Sequence, residues 1–334
     1  CMESALTSSP PWARASRRAS ALLPLAVGPP ISQMRGSMEI ALTLVSPQAP
    51  ATAAALATLT SALAGAQARV KEPRPLGPGA VDVLVEADDV AAVRAVANAT
   101  LADMPVDVCV QPWAGRRKAL LIADMDSTII GCECIDELAD FAGVKAQVSE
   151  ITERAMRGEL DFEGALRERV AMLKGLPLSD LERAYAERVR LNPGARTLVR
   201  TMGAHGARCV LVSGGFGFFT SRVAQAAGFH AERANVLIEA GEVLAGTVGE
   251  PILGREAKLA ALREETAGLG ADPSVALAVG DGANDLAMIE AAGLGVAYRA
   301  KPVVAAQAHA KVDHADLTAL LHFQGYAAAD FVTD

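Results

Sequence analysis

The chain has 334 residues, 51% hydrophobic and 21% charged, with aromatics at only 4%, so about two globular domains with aliphatic cores are expected. A net charge of −8 argues against a nucleic-acid partner, which selects a basic face. No run approaches the roughly 18 apolar residues that cross a bilayer, so no membrane partner is expected. The five cysteines, Cys1, Cys109, Cys132, Cys134 and Cys209, form no disulfide-like framework and fit a reducing, cytoplasmic setting.

Residues 1–37 mix Arg, Ser and Pro around a short apolar run broken by Pro24. This reads as a disordered leader or as sequence upstream of the functional start, with Met38 as initiator. A signal or transit segment is the alternative, although no clear cleavage site follows. From Met38 the pattern becomes regular. A strand over Glu39–Val45, a helix over Ala51–Ala64, a strand over Val81–Glu86, a helix over Val90–Leu101 and a strand over Val106–Gln111 are predicted. Ala68–Pro73 adds a strand that Pro73 and Pro75 soon end. The order β-α-β-β-α-β predicts a ferredoxin-like α+β domain over 38–113. Its topology resembles the amino-acid-sensing ACT domains, without a ligand-binding motif.

Trp113–Lys118 is a polar linker. Beyond it, strands at Ala119–Ala123, Arg208–Val212, Val275–Val279 and Leu294–Ala297 alternate with helices at Ala195–Met202, Phe218–Ala227, Arg255–Glu265 and Asn284–Ala292. Short unalternating apolar strands between helices predict an α/β fold, a Rossmann-like parallel sheet covered on both faces. The charged, helical stretch from Cys132 to Met202 is far longer than a crossover needs. It predicts an inserted helical cap at about 132–190.

The first strand of that sheet runs into Asp124-Met-Asp126-Ser-Thr128. Side chains two apart on extended chain share a side, so both carboxylates aim beyond the strand end. Such a pair suits a divalent metal and nucleophilic or acid/base chemistry. The bland alternative is a polar strand end that caps a turn. The later strands run into Ser213-Gly214-Gly215 and Gly280-Asp281-Gly282-Ala283-Asn284-Asp285, and Lys258 sits near a helix start. Ligands in such sheets lie beyond the carboxyl ends of the strands. The set supplies what phosphoryl transfer needs: a carboxylate nucleophile, a proton donor, a hydroxyl with backbone amides, a cation and metal-binding carboxylates. The Cys132-Glu133-Cys134 run reads as helix-packed thiols rather than a metal site.

In the order and identity of these four motifs the chain resembles the haloacid dehalogenase superfamily phosphatases over about residues 117–325. Glu133–Ala139, Thr152–Val170 and Asn192-Pro-Gly are similar to the phosphoserine phosphatases among them, some of which carry an N-terminal ACT-like domain. The resemblance implies Asp124 as nucleophile and Asp126 as general acid and base. It implies a Mg²⁺ cofactor held by Asp124, the Asp126 carbonyl and Asp281, with Asp285 in support. Ser213, Gly214 and Lys258 would hold phosphate. Glu133 would meet the ammonium and Arg169 the carboxylate of phosphoserine, with Met156 and Phe162 as apolar cover and Asn284 as a further contact. Arg154, Arg157 and Arg167 compete with Arg169 for its role. The implied activity is hydrolysis of O-phospho-L-serine, the last step of L-serine biosynthesis. Alternatives are a related phosphatase, a phosphotransferase to homoserine, or an amino-acid sensor with a silent phosphatase fold. A homodimer is left open.

Overall fold

The computed structural model describes residues 37–66, 68–156 and 159–333, with the side chains of 155 and 156 left out. The expected leader and Arg157 lie outside the described residues. Strand β1 (Met38–Val45), helix α1 (Ala49–Gly65), strands β2 (Arg69–Val70), β3 (Arg74–Gly77) and β4 (Ala80–Ala87), helix α2 (Val90–Thr100) and strand β5 (Asp107–Pro112) come first. They form an antiparallel sheet of order β2-β4-β1-β5, the ferredoxin-like order. The second strand is two short pieces rather than one run over 68–73. Pro73 interrupts it, and β3 resumes along β4 with Pro75 inside it.

Alternation along β1 divides the labour of this sheet. Ile40, Leu42 and Leu44 pack with Leu59, Leu63 and Val93 under the helices. Ala41, Thr43 and Val45 point the other way and are buried as well, so both faces of β1 are covered. Val45, Leu76, Ala80 and Cys109 belong instead to the core of the second half.

That half contains β6 (Leu120–Ala123), cap helices α3 (Cys134–Phe141), α4 (Lys145–Met156), α5 (Phe162–Met172) and α6 (Leu178–Arg188), then α7 (Ala195–Ala204), β7 (Arg208–Phe216), α8 (Gly217–Ala227) and β8 (Ala231–Asn235). A hairpin of β9 (Leu237–Ala240) and β10 (Val243–Val248) follows. Next come α9 (Arg255–Gly268), β11 (Ala276–Gly280), α10 (Leu286–Ala291), β12 (Leu294–Tyr298), α11 (Pro302–Ala305), β13 (Ala310–Val312) and α12 (Ala319–Phe323). Six strands pair in parallel in the order β13-β12-β11-β6-β7-β8. Chain order reverses at β6, so a crevice opens beyond its carboxyl end. Strands β8, β9, β10 and β13 were not anticipated, since the edge strand Ala-Glu-Arg-Ala-Asn has no apolar run. Helix α10 starts at Leu286, two residues after the expected Asn284. Among the described residues, no helix is long and apolar enough to cross a membrane.

The cap leaves and rejoins the sheet through two paired crossings. Ile130 and Leu191 form an antiparallel bridge. Asn192 Nδ2 donates to the carbonyls of Thr128 at 2.8 Å and Ile130 at 3.1 Å. Both crossings are thereby tied to the turn that carries Asp126.

The two halves are joined by buried polar contacts. The Asp107 carboxylate, 2% exposed, accepts the backbone N–H groups of Asp313 at 2.8 Å, His314 at 3.2 Å and Ala315 at 2.8 Å. Gln111 Nε2 donates to the carbonyl of Phe323 at 2.7 Å, and Gln324 Oε1 accepts the Lys118 amide at 3.0 Å. Removing the acceptor strands three amides, each costing about 1–3 kcal/mol. Asp107→Ala should therefore lose about 3–5 kcal/mol in urea unfolding, with the transition broadening or splitting as the halves uncouple. A loss below about 1 kcal/mol would show that water replaces the carboxylate.

Candidate active site

The strand ends converge as the sheet order requires. Strand β6 delivers Asp124, whose amide donates to the Val279 carbonyl on β11 at 3.0 Å. The chain then turns tightly over Met125–Ile129, with Ser127 at φ +54°, an unfavourable region for a residue bearing a Cβ. This turn brings Asp126 beside Ser213, whose Oγ donates to Asp126 Oδ2 at 3.3 Å, while the Cys134 amide donates to Oδ1 at 3.0 Å. Gly215 permits the approach, since a Cβ there would lie 2.7 Å from Asp126 Oδ2.

Lys258 enters from the first turn of α9 and is 1% exposed. Its Nζ donates to Asp124 Oδ1 and to Asp285 Oδ1, both at 2.6 Å. Burial works against its charge, yet the two carboxylates outweigh burial and hold its pKa above the usual lysine range. Asp124 is pushed well up by burial and by the charge of Asp285. Asp281 rises to about 6, again from burial and Asp285. Asp126 rises to about 7, from burial and then from Glu133. Three carboxylates with one lysine leave excess negative charge in a buried place.

Asp124, Asp281 and Asp285 can each offer an oxygen within 4.8 Å of the others. These are hard oxygen donors with mutual repulsion to relieve, so the trio fits a hard divalent cation. The Asp126 side chain is not among them. It faces Ser213 and the start of α3 instead, which leaves it free for proton transfer.

The structure sorts the remaining expected residues. Ser213 is buried, and Gly214 is half-buried beneath Phe162, whose ring carbon would lie 3.2 Å from a Cβ at that glycine. The same ring would lie 3.1 Å from a Cβ at Gly254, so α5 seats the cap on the glycine-containing end of β7. Glu133 is exposed, and its Oε1 accepts Ser127 Oγ at 2.6 Å. Arg169 is half-buried; its Nε donates to Ala165 at 3.2 Å, and among the described residues it forms no ion pair. Burial lowers its pKa, while Asp136 and Glu133 act in the opposite sense. Its competitors are committed: Arg154 pairs with Glu168 at 3.1 Å, and Arg167 with Glu163 at 3.1 Å and Glu250 at 2.5 Å. Asn284 is half-buried, folded over Gly282. The Met156 side chain lies outside the described residues. Cys134 is buried and Cys132 half-buried; both are free thiols and neither joins the carboxylate cluster.

Three residues escaped sequence reasoning. Thr128 Oγ1 donates to Asp281 Oδ1 at 3.4 Å. Asn192 ties the cap crossings. Asn235, 2% exposed, donates to the Gly214 carbonyl at 2.8 Å and accepts the Leu253 amide at 2.6 Å. It thereby fastens the Gly214 end of β7 to the segment that leads to Lys258. Thr128 and Asn192 stand within motifs legible in the sequence, but a single asparagine ending an edge strand carries no sequence signal.

Residues 121–290, the segment that supplies every strand end of this site, match the haloacid dehalogenase-like hydrolase family. The chain belongs to that family. Among its relatives, a phosphoserine phosphatase of Polaromonas sp. is 47% identical over 207 residues, 60% of this chain and 88% of the relative. The crystal structure of a probable phosphoserine phosphatase from Vibrio cholerae superposes with a TM-score of 0.69 at 31% identity, covering 89% of this chain and 88% of that one. That likeness includes the N-terminal sheet. A phospho-aspartyl intermediate analogue of a phosphoserine phosphatase superposes with a TM-score of 0.58 at 36% identity, covering 62% of this chain and 99% of the other.

In this hydrolase the Lys258 contacts hold two buried carboxylates together. Removing one partner of a buried ionic set costs about 3–5 kcal/mol. Lys258→Met in chelator should be destabilised by about that much in thermal unfolding. A divalent cation should then raise its melting temperature more than it raises that of the unmodified protein. An equal rise in both would contradict a cation that shares the charge relief with Lys258.

Proposed function

We infer that this chain is a phosphoserine phosphatase, hydrolysing O-phospho-L-serine to L-serine and phosphate through an aspartyl-phosphate. One observation carries the substrate: beside a complete set of phosphoryl-transfer groups, Glu133 lies exposed and Arg169 forms no ion pair among the described residues, while the neighbouring Arg154 and Arg167 are neutralised by glutamates. A phosphorylated amino acid presents an ammonium for the first and a carboxylate for the second. The named relatives support the same reading.

Asp124 attacks phosphorus, forming the acyl phosphate as the bond to the serine oxygen breaks. Asp126, with a pKa of about 7, is proton-bearing enough near neutrality to protonate that oxygen as it leaves. It then takes a proton from the water that attacks the acyl phosphate, and Asp124 is regenerated. Ser213, the Gly214 amide and Lys258 hold the phosphoryl oxygens. A Mg²⁺ held by Asp124, the Asp126 carbonyl, Asp281 and Asp285 would neutralise charge on the phosphate dianion. Phe162 and the cap exclude water and aim the substrate. The free thiols Cys109, Cys132, Cys134 and Cys209 suit a reducing cytoplasm, where we place the enzyme.

A phosphate-release panel over phosphorylated amino acids and sugars, with and without Mg²⁺, tests this assignment. Phosphoserine should be the best substrate, with turnover lost on chelation. Preference for a generic aryl phosphate, or transfer to added homoserine, would contradict it. Arg169→Gln should lower kcat/KM for phosphoserine about ten- to a hundredfold and leave p-nitrophenyl phosphate hydrolysis nearly unchanged. Equal losses on both substrates would remove Arg169 from carboxylate recognition.

A further inference from the structure

A second cluster of charge lies at the other end of β6, at the junction of the two halves. A cavity of about 290 Å³ opens there between β3, the Trp113–Lys118 linker and the turn after α12. Arg74, Arg116 and Arg117 line it, with Trp113, Gln324 and Gly325.

Its charges do not balance. Asp82 is the carboxylate that meets these guanidiniums, and its oxygens are already engaged. Oδ1 accepts Arg116 Nη1 at 2.8 Å and Thr43 Oγ1 at 3.0 Å; Oδ2 accepts Arg116 Nη2 at 2.7 Å and Arg74 Nη2 at 2.9 Å. Two guanidiniums therefore share one buried anion. Arg117 forms no ion pair among the described residues and lies over the Tyr326 ring, 4.2 Å from its centroid. Lys118, next in the chain, adds a further cation; its Nζ donates to the carbonyls of Gly115 and Ser274, both at 2.9 Å.

The lining is built rather than incidental. Arg116 is 8% exposed and lies 4.0 Å from the Trp113 ring centroid, so its plane is fixed from both sides. It passes so close to Gly325, at φ +81°, that a Cβ there would lie 2.4 Å from Arg116 Nη2. Arg74 is half-exposed, its Nη2 also donating to the Gly325 carbonyl at 3.3 Å, and Arg117 is exposed, so both can be reached from solvent. Guanidinium forks in this arrangement match the paired oxygens of a carboxylate or phosphate.

We propose that this junction cavity binds a small oxyanion, a phosphate or a carboxylate group, separate from the catalytic phosphate site. The occupant offsets the surplus positive charge of Arg74, Arg116 and Arg117. Because those residues come from both halves and from the linker between them, it also tightens the junction.

Trp113 is a built-in reporter. The only other tryptophan is Trp12, so Trp12→Phe leaves a single emitting indole at the cavity. That full-length protein is titrated with sodium phosphate, sodium sulfate and sodium malonate at ionic strength held constant with sodium chloride. A saturable fluorescence change is expected. Arg117→Gln should raise the half-saturating concentration about tenfold or more, equivalent to about 1.4 kcal/mol, and Arg117→Lys should recover only part of it. Both variants should keep their hydrolytic activity, which also shows that they fold. Saturation by phosphate and sulfate alone would assign a tetrahedral oxyanion, and saturation by malonate a carboxylate. No saturable change with any of the three, or half-saturation untouched by both Arg117 variants, would overturn the proposal.

Discussion

Burying several carboxylates in one place is the constraint on which the rest of this structure depends. Asp124 and Asp285 are 5% and 0% exposed, and burying both carboxylates is costly unless a cation sits between them. Lys258 supplies that cation from the first turn of α9, at 2.6 Å from each. Asp281 adds a third carboxylate that the single lysine does not neutralise. Stability and chemistry are coupled here: the repulsion that costs folding energy suits the crevice to a divalent cation, which would offset the charge of these carboxylates.

The sheet order creates this crowding. With β6 flanked by β11 and β7, the carboxyl ends of the strands that present Asp124, Asp281 and Ser213 must lie side by side. The turn through Ser127 then separates the two aspartates of the first motif. Asp124 is held against Lys258 and Asp285, whereas Asp126 is directed to Ser213 and the cap entrance. Their environments differ accordingly: Asp124 is dominated by burial among other charges, while Asp126, near 7, sits where one group can give and take a proton. The cap contributes through Phe162 over the glycines and through the arginine on the same helix, α5.

What was legible in the sequence follows physical rules. An apolar run that stops at two aspartates, a serine between a strand and glycines, and a glycine-aspartate cluster all mark strand ends, and all three came together. Lys258 was legible only by its place among those motifs, because an isolated helical lysine looks like a solvated one. Arg169 could not be separated from Arg154 and Arg167 by pattern; what distinguishes it is that glutamates claim the other two, a tertiary fact. Asn235 was invisible for the same reason, and Asn192 was legible as part of Asn192-Pro-Gly but its tie to the cap crossings was not. The edge strand β8 was missed because it lacks the apolar alternation that marks a half-buried strand. The broken second strand of the N-terminal sheet was misread because pairing with β4 outlasts the interruption at Pro73.

The N-terminal sheet is integral to the molecule rather than tethered to it, because Asp107 accepts backbone amides of the catalytic half and Gln111 donates to a carbonyl in it. The proposed reaction nevertheless rests on one atom, a carboxylate oxygen of Asp124 as the attacking group. The enzyme is mixed with phosphoserine, quenched in acid during turnover, treated with borohydride and mapped by mass spectrometry. Borohydride reduces an acyl phosphate to an alcohol, so residue 124 should be recovered as homoserine, and Asp124→Asn should yield neither this product nor turnover. Turnover that persists in Asp124→Asn, or a phosphoryl group trapped on another residue, would contradict the account.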